Sequence, residues 1–130
     1  MSRRAAILVA LIGLSLTAGC TSSATRPVNE EHKDALKELG ELLKALNDEG
    51  TKPPANLAAL EPVEPRIPLA GPAIRNGEIV YLWGAEYLSG GKQVVAYEKK
   101  APTEGGLVLH QDGTVKEMSA AEFGSAAKAK

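Results

Sequence analysis

Five side chains in this 130-residue chain bear on chemistry: Cys20, His32, Glu98, His110 and Asp112. Cys20 is the sole cysteine, so no intramolecular disulfide can form; a thiol of this kind acts as a nucleophile or accepts a covalent group. His110 and Asp112 flank an Asp112-Gly113 turn, where an imidazole and a carboxylate can approach one another. Zinc takes at least three protein ligands, so this pair makes no metal site, and Asp112 is the residue type that such a turn demands. His32 falls in the first turn of a predicted solvent-facing helix and reads as a solvated surface residue. Glu98 closes a strand rich in Val and Tyr, and with Lys99 and Lys100 beside it the expectation is a strand-end ion pair. An enzyme needs a nucleophile or an acid–base pair with an orienting partner. The sequence shows no Gly-x-Ser-x-Gly, no phosphate loop and no second cysteine. The expectation is therefore a chain that is not an enzyme, with no catalytic, metal-binding or cofactor-binding residues. Only convergence of Glu98, His110 and Asp112 in one pocket would support hydrolytic chemistry.

Cys20 stands in a distinctive context. Met1-Ser2-Arg3-Arg4 is a basic start, and Ala5 to Ala18 is a 14-residue stretch without charge. Spanning a bilayer takes about 20 apolar residues, so this run predicts an export signal and not a permanent membrane helix. Leu16-Thr17-Ala18-Gly19-Cys20 resembles the lipobox of bacterial lipoproteins, with Thr17 where Leu is usual and Leu16 one place early. The resemblance implies that residues 1–19 are a signal peptide and that Cys20 is lipidated and becomes the mature N-terminus. It implies a diacylglyceryl group, usually with a third acyl chain, holding the domain to a membrane of the bacterial cell envelope, outside the cytoplasm. Two or more chains anchor stably where one holds only marginally. Lipidation also accounts for an unpaired cysteine in a compartment that oxidises thiols.

Loss of residues 1–19 removes Arg3 and Arg4. It leaves 13 Lys+Arg against 16 Asp+Glu, a formal charge of −3 where the whole chain carries −1. No basic patch marks a nucleic-acid partner, and no small-molecule substrate is evident. The partners expected are the lipid bilayer, through acylated Cys20, and an envelope protein. The remaining 111 residues make one domain. Four of the aromatics, Tyr81, Trp83, Tyr87 and Tyr97, crowd into one stretch, which is expected to hold the core.

Residues 20–28 are small and polar and read as a flexible tether. Fully extended it reaches about 30 Å at ~3.3 Å per residue. A single α+β domain over 29–127 follows. Its first element is a helix over 29–49 with Asn29 as N-cap, Glu30 and Glu31 in the first turn, and Gly50 placed to end it. Ala35, Leu36, Leu39, Leu42, Leu43 and Leu46 recur at three- and four-residue steps and form one apolar stripe. Gly40 inside it costs about 1 kcal/mol relative to Ala and permits close approach of another element.

Residues 51–77 read as a proline-rich connector, because proline removes a backbone donor and fixes φ. Within it Asn56 caps a helical turn with Leu57 and Leu60 on one side. Over 78–127 the chain reads as about four mostly antiparallel strands and a short last helix. Ile79 to Trp83 is apolar throughout, as in a strand covered on both faces. Gln93–Tyr97, Leu107–His110 and Thr114–Met118 follow, the last two joined by the Asp112-Gly113 turn. Ser119 and Glu122 form a capping box, with Met118 and Phe123 as its hydrophobic staple. This helix is expected to fray into the final Ala-Lys-Ala-Lys.

Pro53-Pro54-x-x-Leu57-x-x-Leu60, Tyr81-Leu82-Trp83-Gly84, Val95-Ala96-Tyr97-Glu98, Gly105-Gly106 and Leu109-x-x-Asp112-Gly113-Thr114-Val115 together resemble the C-terminal region of prepilin-type proteins abundant in planctomycetes. Small uncharacterised lipoproteins of the same bacteria share that region. The resemblance covers residues 30–123 and implies a pilin-like α+β shape in which the long helix packs on the sheet. It brings no catalytic residues. Thr103-Glu104 stand where the family usually carries a histidine before its Gly-Gly pair, and the chain has no prepilin leader with a long assembly helix.

Overall fold

A computed structural model describes residues 28–130. Cys20, the signal segment 1–19 and residues 20–27 of the expected tether lie outside the described residues. The first helix, α1 (Val28–Glu49), starts one residue earlier than its capping signal suggests. Asn29 therefore sits inside the first turn and not at the cap. The apolar stripe behaves as its spacing requires: Ala35, Leu36, Leu39, Leu42, Leu43 and Leu46 are all buried.

The stripe lies on a four-stranded antiparallel meander, β1 (Ile79–Tyr81), β2 (Val94–Glu98), β3 (Gly106–His110) and β4 (Val115–Met118), each strand paired with the next. Strand alternation sends Ile79 and Tyr81 from β1, and Leu107 and Leu109 from β3, to the α1 side. In β2 the register shifts between Val94 and Ala96. That irregularity lets two successive residues, Val95 and Ala96, both face the main core, as an extra residue in one strand does. The periodicity then resumes and puts Glu98 on the α1 side as well. Gly40 meets β3 here. A Cβ on it would lie 3.0 Å from Leu109 Cδ1 and 3.4 Å from Gly113 Cα, so the bare backbone lets the helix settle onto the β3–β4 hairpin.

The connector is folded throughout. It forms α2 (Leu57–Leu60), a 3-10 segment (Glu61–Arg66) and α3 (Ala70–Arg75). Asn56 Oδ1 accepts from Ala59 N at 2.8 Å, which is the predicted cap. Leu57 and Leu60 do not share a side: Leu60 is fully buried and Leu57 is exposed. One turn is too short to present a face, and only its end reaches the core. Ile67, Ala70, Ala73 and Ile74 close the flank of α1. Across that seam Glu38 Oε1 accepts from Leu69 N and Ala70 N at 2.8 and 3.1 Å, so a side chain of α1 satisfies the orphan amides that begin α3.

The stretch that holds the clustered aromatics contributes Tyr81, Ala85, Val95 and Ala96 to the main core, with Tyr87 packed against it, but Trp83 does not join it. β1 ends at Tyr81 and is an edge strand, so Trp83 lies beyond the sheet and is 38% exposed. The core is aliphatic, and Tyr81 is its one fully buried ring from that stretch. Tyr97 packs on the opposite sheet face, edge-on to Phe123 at 4.7 Å between centroids. There Phe123, Val94, Val108 and Ala101 form a second, smaller cluster with Met118 against it.

That face is closed by α4 (Ala101–Glu104), a turn the sequence reading missed, and by α5 (Ala120–Ser125). The capping box is present: Glu122 N donates to Ser119 Oγ at 3.1 Å and Ser119 N to Glu122 Oε1 at 3.2 Å. The tail does not fray. Val94 N donates to Ala127 O and Ala129 N to Val94 O, each at 2.8 Å. Lys128 Nζ satisfies the Phe123 and Ala126 carbonyls at 2.8 and 3.0 Å and lies 4.4 Å above the Phe123 ring.

Tyr81 supplies a pH test of this core. Its hydroxyl donates to Ala85 O at 2.5 Å, and burial, helped by the charge of Glu86, pushes its phenol well above its ordinary value. Below pH about 10 the folded and unfolded chains both keep this proton, so it gives no slope. Above that pH the unfolded chain releases a proton that the folded chain retains, and stability falls. Urea midpoints measured between pH 8 and 11 are expected to drop less steeply in Tyr81→Phe than in the wild type. Equal slopes would refute the assignment.

Candidate functional site

Glu98 is the one buried charged residue among those described, 2% exposed. Burying a carboxylate requires partners for its lone pairs, and each oxygen has one. Oε1 accepts from Leu107 N at 2.7 Å. Oε2 meets His32 Nδ1 at 2.6 Å. Room for the carboxylate comes from Gly106, where a Cβ would stand 3.0 Å from Glu98 Oε1 and 3.4 Å from its Cβ. The glycine pair thus has two tasks: Gly105 turns the chain at φ 79°, and Gly106 clears space for the side chain opposite.

His32 comes from the beginning of α1, with its side chain 13% exposed. Its second ring nitrogen, Nε2, is 3.6 Å from Glu78 Oε2. That separation is longer than a hydrogen bond. Glu78 precedes β1, and its carbonyl accepts from Lys99 N at 3.0 Å, which ties the two strand ends together. The group borders a cleft of about 290 Å³ lined by Asn29, His32, Glu78, Glu98, Lys99 and Lys100. Chemically the arrangement holds a buried carboxylate against an imidazole and orients that ring between two acids.

Two sequence expectations are corrected here. His32 is not a solvated surface residue, and Glu98 is tied to His32 and to a backbone amide where an ion pair with Lys99 or Lys100 was expected. Part of the signal was present. His32 lies four residues before Leu36 and seven before Leu39, on the buried stripe. What the sequence did not carry was that the stripe's first position would meet a carboxylate 66 residues away.

His110 and Asp112 are elsewhere. In β2, Glu98 pairs with Ile79, whereas His110 pairs with Val94, four residues back along the strand. At ~3.3 Å per residue that is about 13 Å, so Glu98, His110 and Asp112 do not converge. The His110 ring donates through Nδ1 to Lys92 O at 2.8 Å, and its Nε2 is buried without a hydrogen-bond partner. Asp112 Oδ1 accepts from Thr114 N at 2.9 Å, the bond of an Asx turn. Hydrogen bonds from Thr114 hold the Asp112 carboxyl below its usual value, with a smaller contribution from His110. Asp112 is therefore the turn residue the sequence predicted. Among the described residues no three His, Cys, Asp or Glu side chains gather to hold a metal ion, and no helix is long and apolar enough to cross a membrane.

Fold and site together define an α+β domain: a long helix on an antiparallel meander, with one buried carboxylate–imidazole pair where the helix begins. Compared with models of protein families, with curated proteins and with solved structures, the chain matches none.

Proposed function

We propose that the chain is a membrane-anchored lipoprotein of the bacterial cell envelope and that its domain is a binding or structural module. One observation carries this reading: Cys20, the sole cysteine, directly follows a basic start, an uncharged run and two small residues. The start of α1 at Val28 supports it, because eight residues beyond Cys20 is spacing enough for a short tether. The partner proposed is another envelope protein. Trp83 and Leu57 are exposed apolar side chains on the two segments that the Gly84 N to Pro54 O bond of 2.8 Å ties together, and they are the side chains proposed to meet that partner.

The intact mass of membrane-extracted protein tests the anchor. The expected product is a chain beginning at Cys20 with added acyl mass, and Cys20→Ser is expected to lose that mass and leave the membrane fraction. An unlipidated chain cut elsewhere would overturn the reading. A second reading, a pilin-like accessory component of a secretion or filament system, is favoured by the long helix lying on the four-stranded meander. It predicts association with pilin-type proteins, and a deletion that leaves secretion and filaments unchanged would remove it.

A further inference from the structure

Among the described residues, His110 Nε2 is the one buried side-chain nitrogen or oxygen without a hydrogen-bond partner. Its role follows from the other ring nitrogen, Nδ1, which lies 2.8 Å from Lys92 O. A carbonyl only accepts, so Nδ1 carries a proton, and in the neutral imidazole Nε2 then presents a lone pair. A buried acceptor of this kind calls for a donor. His110 lines a cleft of about 240 Å³, together with Gly91, Lys92, Asp112, Thr114 and Lys116.

Strand alternation assembles the cleft. Leu107 and Leu109 face α1, so His110 faces the other side of the sheet. Its amide donates to Thr114 O at 2.9 Å, which sets Thr114 opposite it on the same face, and Lys116, two residues on, shares that face. Lys92 comes from the segment before β2, which is pinned to the hairpin: Gln111 N donates to Gln93 O and Leu88 N to Gln111 O, each at 2.9 Å. Gly91 permits this close approach, since a Cβ there would stand 2.6 Å from Gln111 Oε1 and 2.7 Å from Gln111 Cβ. The walls are therefore fixed by the protein's own bonds, as a selective site requires.

The charges name the occupant. Lys92 and Lys116 bring two positive charges to the cleft, and Asp112 brings a negative one whose Oδ1 already accepts from Thr114 N at 2.9 Å. A bare anion would be drawn by the lysines and repelled by Asp112, and a bare cation the reverse. A molecule with both hydroxyls and an acidic group satisfies every wall: its hydroxyls donate to His110 Nε2 and to Asp112, and its acid meets the lysines. We propose that this cleft binds a small polyhydroxylated acid, of the class of a sugar phosphate or a sugar acid. Its volume falls just under the roughly 300–1,000 Å³ of pockets for drug-sized ligands, which suits one sugar ring. The site goes beyond the protein partner proposed above and does not rest on the anchor at Cys20.

Amide NMR shifts of the full-length chain in detergent test this, with glucose-6-phosphate, glucuronate, glucose and inorganic phosphate as separate probes. Glucose-6-phosphate, glucuronate or both should shift the amides of residues 91–93 and 110–116 to saturation, and the tighter of the two identifies the acidic group. Glucose and inorganic phosphate, each lacking half of the contacts, should bind at least about tenfold more weakly. His110→Gln and Lys116→Gln should each weaken the better ligand by about tenfold, with the amides of Leu36 and Leu39 unmoved. No shift with any probe would overturn the site and leave Nε2 to a water molecule. Inorganic phosphate binding as tightly as glucose-6-phosphate would overturn it too, as would full affinity in both variants. Should His110→Gln fail to fold, Lys116→Gln, an exposed change, and the comparison of probes still decide. Cys20→Ser should bind as the wild type, so failure of the anchor would leave this site standing, and failure of the site would leave the anchor.

Discussion

Gly105→Ala is expected to lower stability by about 3 kcal/mol or more, through two additive causes. The backbone at Gly105 has φ 79° and ψ 162°, a region that is essentially glycine-only and costs roughly 1–3 kcal/mol for other residues. A new Cβ would also stand 2.7 Å from Met118 O, 3.1 Å from Ser119 Cα and 3.3 Å from Ala120 N. These are backbone atoms at the junction of β4 and α5, held by β3–β4 pairing on one side and the capping box on the other. They cannot swing aside as a side chain would, and overpacking of this kind costs about 1–3 kcal/mol. For a domain of this size the two together lower Tm by roughly 12–24 °C. Gly50→Ala is the control: φ is 72°, but nothing lies within 4 Å, so only conformational strain of about 1–2 kcal/mol remains. Thermal melts of the two variants separate the causes, and equal shifts would show that the contact at Met118 has no weight.

Glu98→Ala is expected to cost about 3 kcal/mol, because it strands two groups together. The buried amide of Leu107 loses its acceptor, and His32, 13% exposed, loses the carboxylate beside it. Removing one member of a buried pair typically costs about 3–5 kcal/mol, and the partial exposure of His32 argues for the lower end. Urea unfolding of Glu98→Ala, His32→Ala and the double variant would measure the coupling directly. A coupling of about 1–3 kcal/mol is expected for groups sharing a hydrogen bond. Additive effects would mean that the 2.6 Å contact contributes nothing beyond the separate side chains.

Much of the architecture was legible in local spacing. The stripe from Ala35 to Leu46 announced α1 and its buried side, because three- and four-residue steps are the geometry of a helix. Asn56, Ser119 and Glu122 announced two helix starts, because a cap is satisfied within three residues of itself. Asp112-Gly113 announced the hairpin in the same way. Each of these signals is answered by atoms only a few positions along the chain, so no knowledge of the fold is needed to read it.

The misreadings share the opposite property. Whether Ile79–Trp83 is central or at an edge depends on where β2 lies. Strand pairing with β2 ends at Tyr81, so Trp83 lies beyond the sheet and is exposed though the composition of the run suited a covered strand. The tail beyond Ser125 reads as fraying in isolation and is ordered by Val94 and by the stacking of Lys128 on Phe123. The buried pair is the clearest instance. Neither His32 nor Glu98 carries a local sign of the other, since 66 residues separate them. They meet only because α1 lies on the sheet, the irregularity in β2 turns Glu98 toward it, and Gly106 leaves the space. What the sequence alone determined was the long helix and the side it buries, two helix caps and the hairpin turn, together with the chemical context of Cys20. The tertiary structure decided which buried sides meet, and so where a carboxylate could be taken out of water, because that depends on partners distant along the chain.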